Sequence, residues 1–197
     1  MSSFQWKYKT YAVVFADIRG FTELFKLHDA EQIAMILGDW FVVAYEEKVH
    51  KYRGFVDKFL GDGMLILFDD VDKAFYACCS LLGLAKEIDE HLNKMPPKGW
   101  LGQEFTIGIG MEFGEVVEGS IPVGGQEHVL RIGECINVAS RLGEIAKPSE
   151  ILIGNDARER LKGIIVDDIF EKIERERRKS VEYDCWSVPM EAVLGEQ

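Results

Sequence analysis

The most constraining feature of the sequence is a glycine-containing turn between two short apolar segments in the first third of the chain. The segment FVDKF at 55–59 is followed by LGDG and then by MLILF at 64–68. Two β-prone runs around such a turn are typical of a β-hairpin, because glycine adopts the positive φ angles that tight turns need. The hairpin sets two antiparallel strands side by side, and the other elements must pair with them or pack on them.

The segments on either side of the hairpin predict one strand and two helices. Residues 10–16 are rich in β-branched and aromatic residues, which predicts a buried strand that ends in a turn at Asp17–Gly20. From Asp29 to about Tyr52 the apolar residues recur at helical spacing, and Asp29 is the expected N-cap. Residues 72–92 predict a second long helix.

The second half of the chain predicts mainly strands, separated by two helices. The predicted elements are two strands within 105–121, a loop at Pro122–Gly125, a helix at about Gly133–Ile145, a strand at 150–154, a short helix at 155–161, and two weaker strands near 164–170 and 182–188 with a charged stretch between them.

This order of elements predicts an α+β fold, namely a ferredoxin-like βαββαβ sandwich with C-terminal additions. The length of 197 residues predicts one domain over 1–197, with its core at about 10–160 and C-terminal strands within 161–190. The fold alone predicts no function, because unrelated activities share it.

Composition excludes several classes of protein. A net charge of −11 argues against binding to nucleic acid or to anionic lipid. No apolar run approaches the roughly 20 residues of a membrane helix, so direct membrane insertion is not expected. The four cysteines lack zinc-ligand spacing. We expect free thiols in a reducing, cytoplasmic compartment.

Two carboxylates are expected to meet at one edge of the sheet. Asp17 follows the first predicted strand and Asp62 lies in the hairpin turn, so they come together if that strand lies beside the hairpin. Such a pair can hold two Mg²⁺ or Mn²⁺ ions, which lower the pKa of an attacking hydroxyl and neutralise a leaving pyrophosphate. The alternative interpretation is a helix cap at Asp17 and an ordinary turn residue at Asp62.

Two further segments can bind phosphate or ribose. The turn at Arg19, Gly20, Phe21 and Thr22 opens a helix and offers backbone N–H groups to phosphate. On the predicted helix at 133–145, Asn137 and Arg141 are four residues apart and share one face. These side chains suit a ribose oxygen and a phosphoryl group, although a solvated polar face is the alternative.

These segments together resemble the catalytic domain of class III adenylate and guanylate cyclases, over roughly residues 10–160. The resemblance rests on five blocks in the same order along the chain: FADIRGFT at 15–22, KFLGDG at 58–63, the glycine-spaced IGIGMEFGEVVEG at 107–119, GECINVASRL at 133–142, and ILI at 151–153.

The resemblance implies a lyase that converts a nucleoside triphosphate into a 3′,5′-cyclic monophosphate, a second messenger, and pyrophosphate. In this family two domains pair head to tail around a shared site. Asp17, Ile18 through its carbonyl, and Asp62 would bind two metal ions from one subunit, and Asn137 and Arg141 would come from the other. Because the chain carries both sets, the resemblance implies a homodimer with two equivalent sites.

The resemblance also implies which residues read the base. Lys58 occupies the position that donates to adenine, and this favours ATP over GTP. The second base-reading position, usually Asp or Thr, is Leu130, which accepts no hydrogen bond, and Arg131 follows it. A register shift in the preceding loop would let Glu127 substitute.

Three other functions stay open. A pyrimidine cyclase that makes cyclic CMP or cyclic UMP in bacterial anti-phage signalling would suit Arg131 but not Lys58. A noncatalytic regulatory cyclase-like domain is expected to lack one of the four predicted metal and catalytic side chains, all of which are present. A ferredoxin-like RNA-binding domain would need a basic surface.

A basic residue of the C-terminal region is expected to bind the triphosphate. The candidates in that region are Lys172, Arg175, Arg177, Arg178 and Lys179, and a solvated charged hairpin is the alternative for most of them.

Overall fold

A computed structural model describes residues 5–94, 104–162, 169–178 and 181–194. Its strands are β1 (Lys7–Ile18), β2 (Phe55–Leu60), β3 (Gly63–Phe68), β4 (Ile107–Val123), β5 (Gln126–Ile132), β6 (Glu150–Gly154), β7 (Glu171–Arg178) and β8 (Val181–Pro189). Its helices are α1 (Phe21–Leu27), α2 (Ala30–Val43), α3 (Val71–Asn93), α4 (Glu134–Ile145), α5 (Asn155–Arg160) and α6 (Met190–Leu194).

All the described strands form one mixed sheet in the order β2-β3-β1-β4-β6-β8-β7, with β5 paired to the outer half of β4. Strands β2, β3, β1 and β4 are antiparallel neighbours, and helices follow β1 and β3 in the chain. This arrangement confirms the predicted α+β fold with its βαββαβ core. Strand β6 then adds parallel to β4 and starts the C-terminal extension.

The two faces of the sheet are covered by different helices. Even-numbered residues of β1, such as Val14, pack with α2 and α3 in the larger core cluster. Odd-numbered residues, such as Val13 and Phe15, pack instead with Cys135 and Ala139 of α4. This separation follows from the two-residue period of a strand. We call the second side the α4 face.

The predicted helix after Asp29 is confirmed, including its cap. The Asp29 carboxylate accepts the Gln32 backbone N–H at 2.9 Å, and the Gln32 side chain accepts the Asp29 backbone N–H at 3.4 Å. This is a capping box. Helix α2 continues through a π-helical segment at Ala44–Val49 and a 3₁₀ turn at His50–Tyr52, and Arg53 ends it with φ 61°.

The prediction of two strands within 105–121 is wrong. This segment belongs to the single long strand β4, and its partner β5 falls in the stretch predicted as a loop before the helix at 133–145. The glycines do not break β4; they let another element approach it. A Cβ on Gly110 would overlap the Ala139 carbonyl oxygen and the Gly143 amide nitrogen of α4. The turn between β4 and β5 uses Gly124 and Gly125, both at positive φ.

The C-terminal tail also differs from the prediction. The charged stretch expected between two strands is itself β7, which lies at the edge of the sheet, where charged residues discourage pairing with other chains. The predicted strand at 164–170 lies largely outside the described residues, while β8 confirms the predicted strand near 182–188.

No disulfide joins the four cysteines, all of which lie in described segments. Within the described ranges, no helix is long and apolar enough to cross a bilayer.

Candidate active site

The structure brings Asp17 and Asp62 together at one edge of the sheet. Asp17 lies near the end of β1 and is paired with Gly63 of β3, and Asp62 directly precedes that glycine in the hairpin turn. The Asp17 Oδ1 atom is only 3.1 Å from the position that a Cβ on Gly63 would occupy. Glycine at this position therefore gives the Asp17 carboxylate its space beside the turn.

Burial makes both carboxylates hard to ionise. Burial, together with the negative charge of Asp62, raises the pKa of Asp17 to about 6, and Arg19 opposes part of this increase. Burial also raises the pKa of Asp62. A carboxylate pair with raised pKa values carries unbalanced negative charge when ionised, so a bound cation would stabilise both side chains.

The donor atoms at this edge suit a hard divalent cation. Arg19 donates its backbone N–H to the Thr106 carbonyl, so odd-numbered residues of β1 bond towards β4. Even-numbered Ile18 therefore directs its carbonyl to the opposite side, where β3 and the hairpin turn lie. No cluster of three or more His, Cys, Asp or Glu side chains with metal-binding geometry occurs among the described residues. Two carboxylates and a carbonyl suit Mg²⁺, which takes its remaining ligands from water and phosphate.

Asp17 is not a helix cap. Helix α1 begins after Gly20, which has φ 68°, and no side chain caps it. The first N–H groups of α1, at Phe21 and Thr22, have no partner within the helix. Arg19 has different partners from the predicted phosphate. Its amide bonds to Thr106, and its guanidinium donates to the carbonyl of Gly143 in α4.

Helix α4 presents Asn137 and Arg141 on its exposed side. It begins after Gly133, and its buried residues pack on β1 and β4; they are Cys135, Ala139, Leu142 and Gly143. Asn137 and Arg141 are four residues apart and both exposed, on the side of α4 opposite the sheet. Within one chain they therefore turn away from the strand that carries Asp17.

Two of the three predicted base-reading residues, Lys58 and Arg131, meet around a carboxylate that sequence reasoning did not assign to the site. Asp57 lies at an irregularity in β2, and its side chain is only 4% exposed. The Lys58 ammonium is 3.5 Å from Asp57, and the Arg131 guanidinium forms an ion pair with the same carboxylate. Lys58 pairs with Leu65 and so lies on the α4 face. A strand lysine that pairs with a neighbouring carboxylate is the alternative to a base-reading lysine, and the contact with Asp57 is compatible with it.

A second carboxylate extends this cluster. Glu118 of β4 lies 3.3 Å from the Arg131 Nε atom and 2.6 Å from the Lys9 ammonium, and it accepts a hydrogen bond from the Tyr11 hydroxyl at 3.3 Å. The hydrogen bond from Lys9 is the main cause that lowers the pKa of Glu118. We call Lys9, Asp57, Lys58, Glu118 and Arg131 the base-side cluster. No sequence motif marks it, because its members come from four strands.

The position of Leu130 differs from that of Arg131. Both residues lie on β5, where adjacent side chains point to opposite faces. Arg131 reaches the α4 face and Asp57, so Leu130 projects to the other side.

Of the C-terminal cations, Lys172 is exposed on β7, while the side chains of Arg175, Arg177 and Arg178, and the whole of Lys179, lie outside the described set.

The family match and the named relatives among known proteins agree on one family. The family described as the adenylate and guanylate cyclase catalytic domain matches residues 5–187. A protein of uncharacterised function from Mycobacterium tuberculosis is 36% identical over 143 residues, which are 72% of this chain and 24% of that protein. An adenylate cyclase of Anabaena cylindrica is 28% identical over 68% of this chain and 27% of its own length. The chain thus spans about a quarter of these relatives.

Solved structures show the same fold. The adenylyl cyclase CyaB from P. aeruginosa superposes with a TM-score of 0.82 at 24% identity, covering 93% of this chain and 95% of that one. The guanylyl cyclase Cya2 superposes with a TM-score of 0.77 at 23% identity, covering 92% of each chain. At this level of identity the likeness concerns the fold, and one of the two neighbours is an adenylyl cyclase whereas the other is a guanylyl cyclase.

Proposed function

This chain belongs to the adenylate and guanylate cyclase catalytic domain family, and on that premise we propose that it converts ATP into cyclic AMP and pyrophosphate at a site shared by two copies of the chain. The observation that carries the proposal is the meeting of Asp17 and Asp62 beside the Ile18 carbonyl, with raised carboxylate pKa values. An acidic, partly buried pair of this kind supports binding of a metal–triphosphate complex.

Each predicted residue has a task in this reaction. Asp17, Ile18 and Asp62 would hold two Mg²⁺ or Mn²⁺ ions, whose chemistry when bound is to acidify the ribose 3′-hydroxyl and to neutralise the departing pyrophosphate. The 3′-oxygen attacks the α-phosphorus, the bond to pyrophosphate breaks, and the hydroxyl proton leaves to solvent. The N–H groups of Gly20, Phe21 and Thr22 would bind the phosphates.

Asn137 and Arg141 would act on the substrate held by the other chain. Arg141 offsets charge that develops on the α-phosphoryl group, and Asn137 orients the ribose. Their exposure on the side of α4 that faces away from the sheet supports a shared site, because they are directed away from the Asp17 strand of their own chain. The exposed apolar side chains of the β4–β5 hairpin, Val123, Val129 and Ile132, support a surface that a second copy covers.

Lys58 supports adenine as the base. Its side chain lies on the α4 face and is 39% exposed, so its ammonium can donate to the acceptor at adenine N1. The contact with Asp57 would hold the ammonium in place without covering it. Guanine carries a proton at N1, and a lysine donor would leave that proton without an acceptor.

One experiment tests the proposed substrate. The purified chain is given ATP, GTP, CTP and UTP separately with Mn²⁺, and the product of each reaction is identified by mass spectrometry. We expect cyclic AMP to form with the highest kcat/KM. Cyclic product from another triphosphate alone would overturn the base assignment, and no cyclic product from any of the four would overturn the enzymatic function.

A second experiment tests the shared site. Asp17→Ala removes the metal half of a site and Arg141→Ala removes the helix half, so each variant alone should be inactive. A mixed dimer keeps one complete site, and random exchange should restore roughly a quarter of the unmodified activity. Differently tagged chains show whether subunits have exchanged. If they have exchanged and activity still does not recover, a site built from two copies is contradicted.

A pyrimidine cyclase is the second candidate function. The observation that favours it is the position of Arg131, which shares the Asp57 carboxylate with Lys58, whereas Leu130 offers no acceptor for the adenine amino group. An arginine there can donate to the carbonyl oxygens of a smaller base. Preferential formation of cyclic UMP or cyclic CMP in the four-triphosphate experiment would support this candidate over ATP.

A further inference from the structure

We propose that Arg19 is a positioning residue that joins the two active sites of the dimer through a single chain. Its guanidinium contacts Asp17, which serves the metal half of one site. It also contacts the last turn of α4, which carries Arg141 to the other site. This inference rests on the proposed shared site and goes beyond it, because it assigns a role to a side chain to which the proposed function gives no contact with the metal ions or the substrate.

The contacts of Arg19 lead in two directions. Its Nη1 atom is 3.4 Å from the Asp17 Oδ2 atom and 3.4 Å from the Glu144 carbonyl oxygen, and its Nη2 atom donates to the Gly143 carbonyl. The last carbonyls of a helix have no partner within the helix and carry partial negative charge. Arg19 therefore acts as a C-terminal cap for α4 that comes from β1.

The capped turn is the one from which Arg141 projects. Gly143 and Glu144 follow Arg141 by two and three residues, so the three belong to one helical turn. A change in the position of these carbonyls changes the direction of the Arg141 side chain. The orientation of Arg141 in one site thus depends on Arg19. The same Arg19 side chain contacts the Asp17 carboxylate of the other site.

The sequence around Arg19 keeps this contact close. Gly108 lies opposite Asp17 on β4, and a Cβ there would overlap the Arg19 guanidinium. A Cβ on Gly143 would lie 2.6 Å from the Phe15 ring. Glycine at both positions lets the end of α4 and the Arg19 side chain lie directly on the sheet. The Arg19 Nε–H is buried without a hydrogen-bond partner among the described residues, which costs free energy.

Mixed dimers with one complete site test the two directions separately. In such a dimer the Arg141→Ala chain supplies the metal half and the Asp17→Ala chain supplies α4. Arg19→Gln is then added to one chain or to the other. In the chain that supplies α4, Asp17 is already absent, so any effect of Arg19 must pass through the carbonyls of Gly143 and Glu144.

We expect a loss in both placements, with different kinetic signatures. In the metal-supplying chain, Arg19→Gln should raise the Mn²⁺ concentration that gives half-maximal rate. In the chain that supplies α4, it should lower kcat about tenfold, as expected for loss of a charged hydrogen bond, with the Mn²⁺ dependence unchanged. A loss confined to either placement, or the same signature in both, would overturn the proposed link.

Matched variants exclude a general loss of folding. Arg160 also donates to a helix carbonyl, that of Asp156 in its own helix α5, at 2.9 Å. Arg160→Gln should leave both kcat and the Mn²⁺ dependence unchanged. If Arg19→Gln does not fold, Arg19→Lys keeps the charge but not the forked geometry and should give the same two signatures at smaller size. Equal behaviour of Arg19→Lys and the unmodified chain would overturn the proposal. An inactive mixed dimer without any Arg19 change would instead refute the shared site itself.

Discussion

Two parts of the same sheet face handle charge in opposite ways. At the edge that carries Asp17 and Asp62, burial raises the pKa of both carboxylates, the charge of Asp62 raises that of Asp17 further, and Arg19 opposes part of each increase. In the base-side cluster, Asp57 and Glu118 each contact two cations, and the pKa of Glu118 is lowered. The first region needs an external cation to balance its charge, whereas in the second every carboxylate already has cationic partners. We therefore expect substitutions at the metal edge to abolish chemistry and those in the cluster to alter selectivity.

The largest effect is expected from Asp17→Ala. Loss of a carboxylate that holds a catalytic metal removes several kcal/mol of transition-state stabilisation, which lowers turnover about a thousandfold or more. The fold should persist, since removing a carboxylate with a raised pKa does not remove a stabilising charge. Turnover and circular dichroism check both points. Asp69→Ala, an exposed aspartate after β3, serves as the control; substantial activity of Asp17→Ala would refute the metal site.

A smaller but still large effect is expected from Arg141→Lys. The planar guanidinium can bind two phosphoryl oxygens at once, whereas lysine offers a point charge, so we expect kcat to fall about 10- to 100-fold. KM and the Mn²⁺ dependence should change little, because the metal half is intact. Steady-state kinetics measure all three. A change confined to KM would indicate that Arg141 binds the ground state only.

A change of selectivity is expected from Asp57→Asn. The substitution keeps the shape of the side chain but removes the charge that Lys58 and Arg131 share, so both cations lose their fixed position. We expect kcat/KM for the preferred triphosphate to fall about tenfold and discrimination among the four bases to weaken. The Mn²⁺ dependence should stay the same.

Glu118→Gln is the graded control for Asp57. Glu118 contacts Arg131 but has no recorded contact with Lys58, so its loss should affect selectivity less. If the two variants affect selectivity equally, Arg131 rather than Lys58 dominates base reading, and the pyrimidine candidate gains support.

The smallest effect is a pH-dependent change in stability from Asp17→Asn in the presence of a chelator. The pKa of Asp17 is about 6 in the folded chain against an ordinary value of 3.8, so ionisation opposes folding and stability falls as pH rises from about 4 through 6. At pH 8 the neutral amide should raise Tm by about 2–4 °C, or about 1 kcal/mol after solvent screening. Near pH 4 the two chains should melt alike. A stabilisation that is equal at both pH values would contradict the raised pKa.

The elements with clear local signals were predicted well from the sequence. The capping residues at Asp29, the glycine turn before Asp62 and the spacing of Asn137 and Arg141 each depend on neighbours within a few positions, and the structure confirms these local arrangements. Strand β5 was missed because its preceding glycines indicate a loop equally well. The glycines of β4 do mark a close approach of another element, but the sequence could not identify that element, α4, because it lies about 30 residues further along the chain.

Local sequence determined the backbone elements and the residue types available for chemistry, since periodicity, capping and turn formation act over a few positions. Tertiary structure decided which charges meet. It placed Asp62 beside Asp17, directed Arg19 to α4 instead of to phosphate, and brought Arg131 to Asp57 from a strand 74 residues away. Pairing across a sheet and packing of a helix on it join residues that are distant in the chain, and no local pattern carries that information.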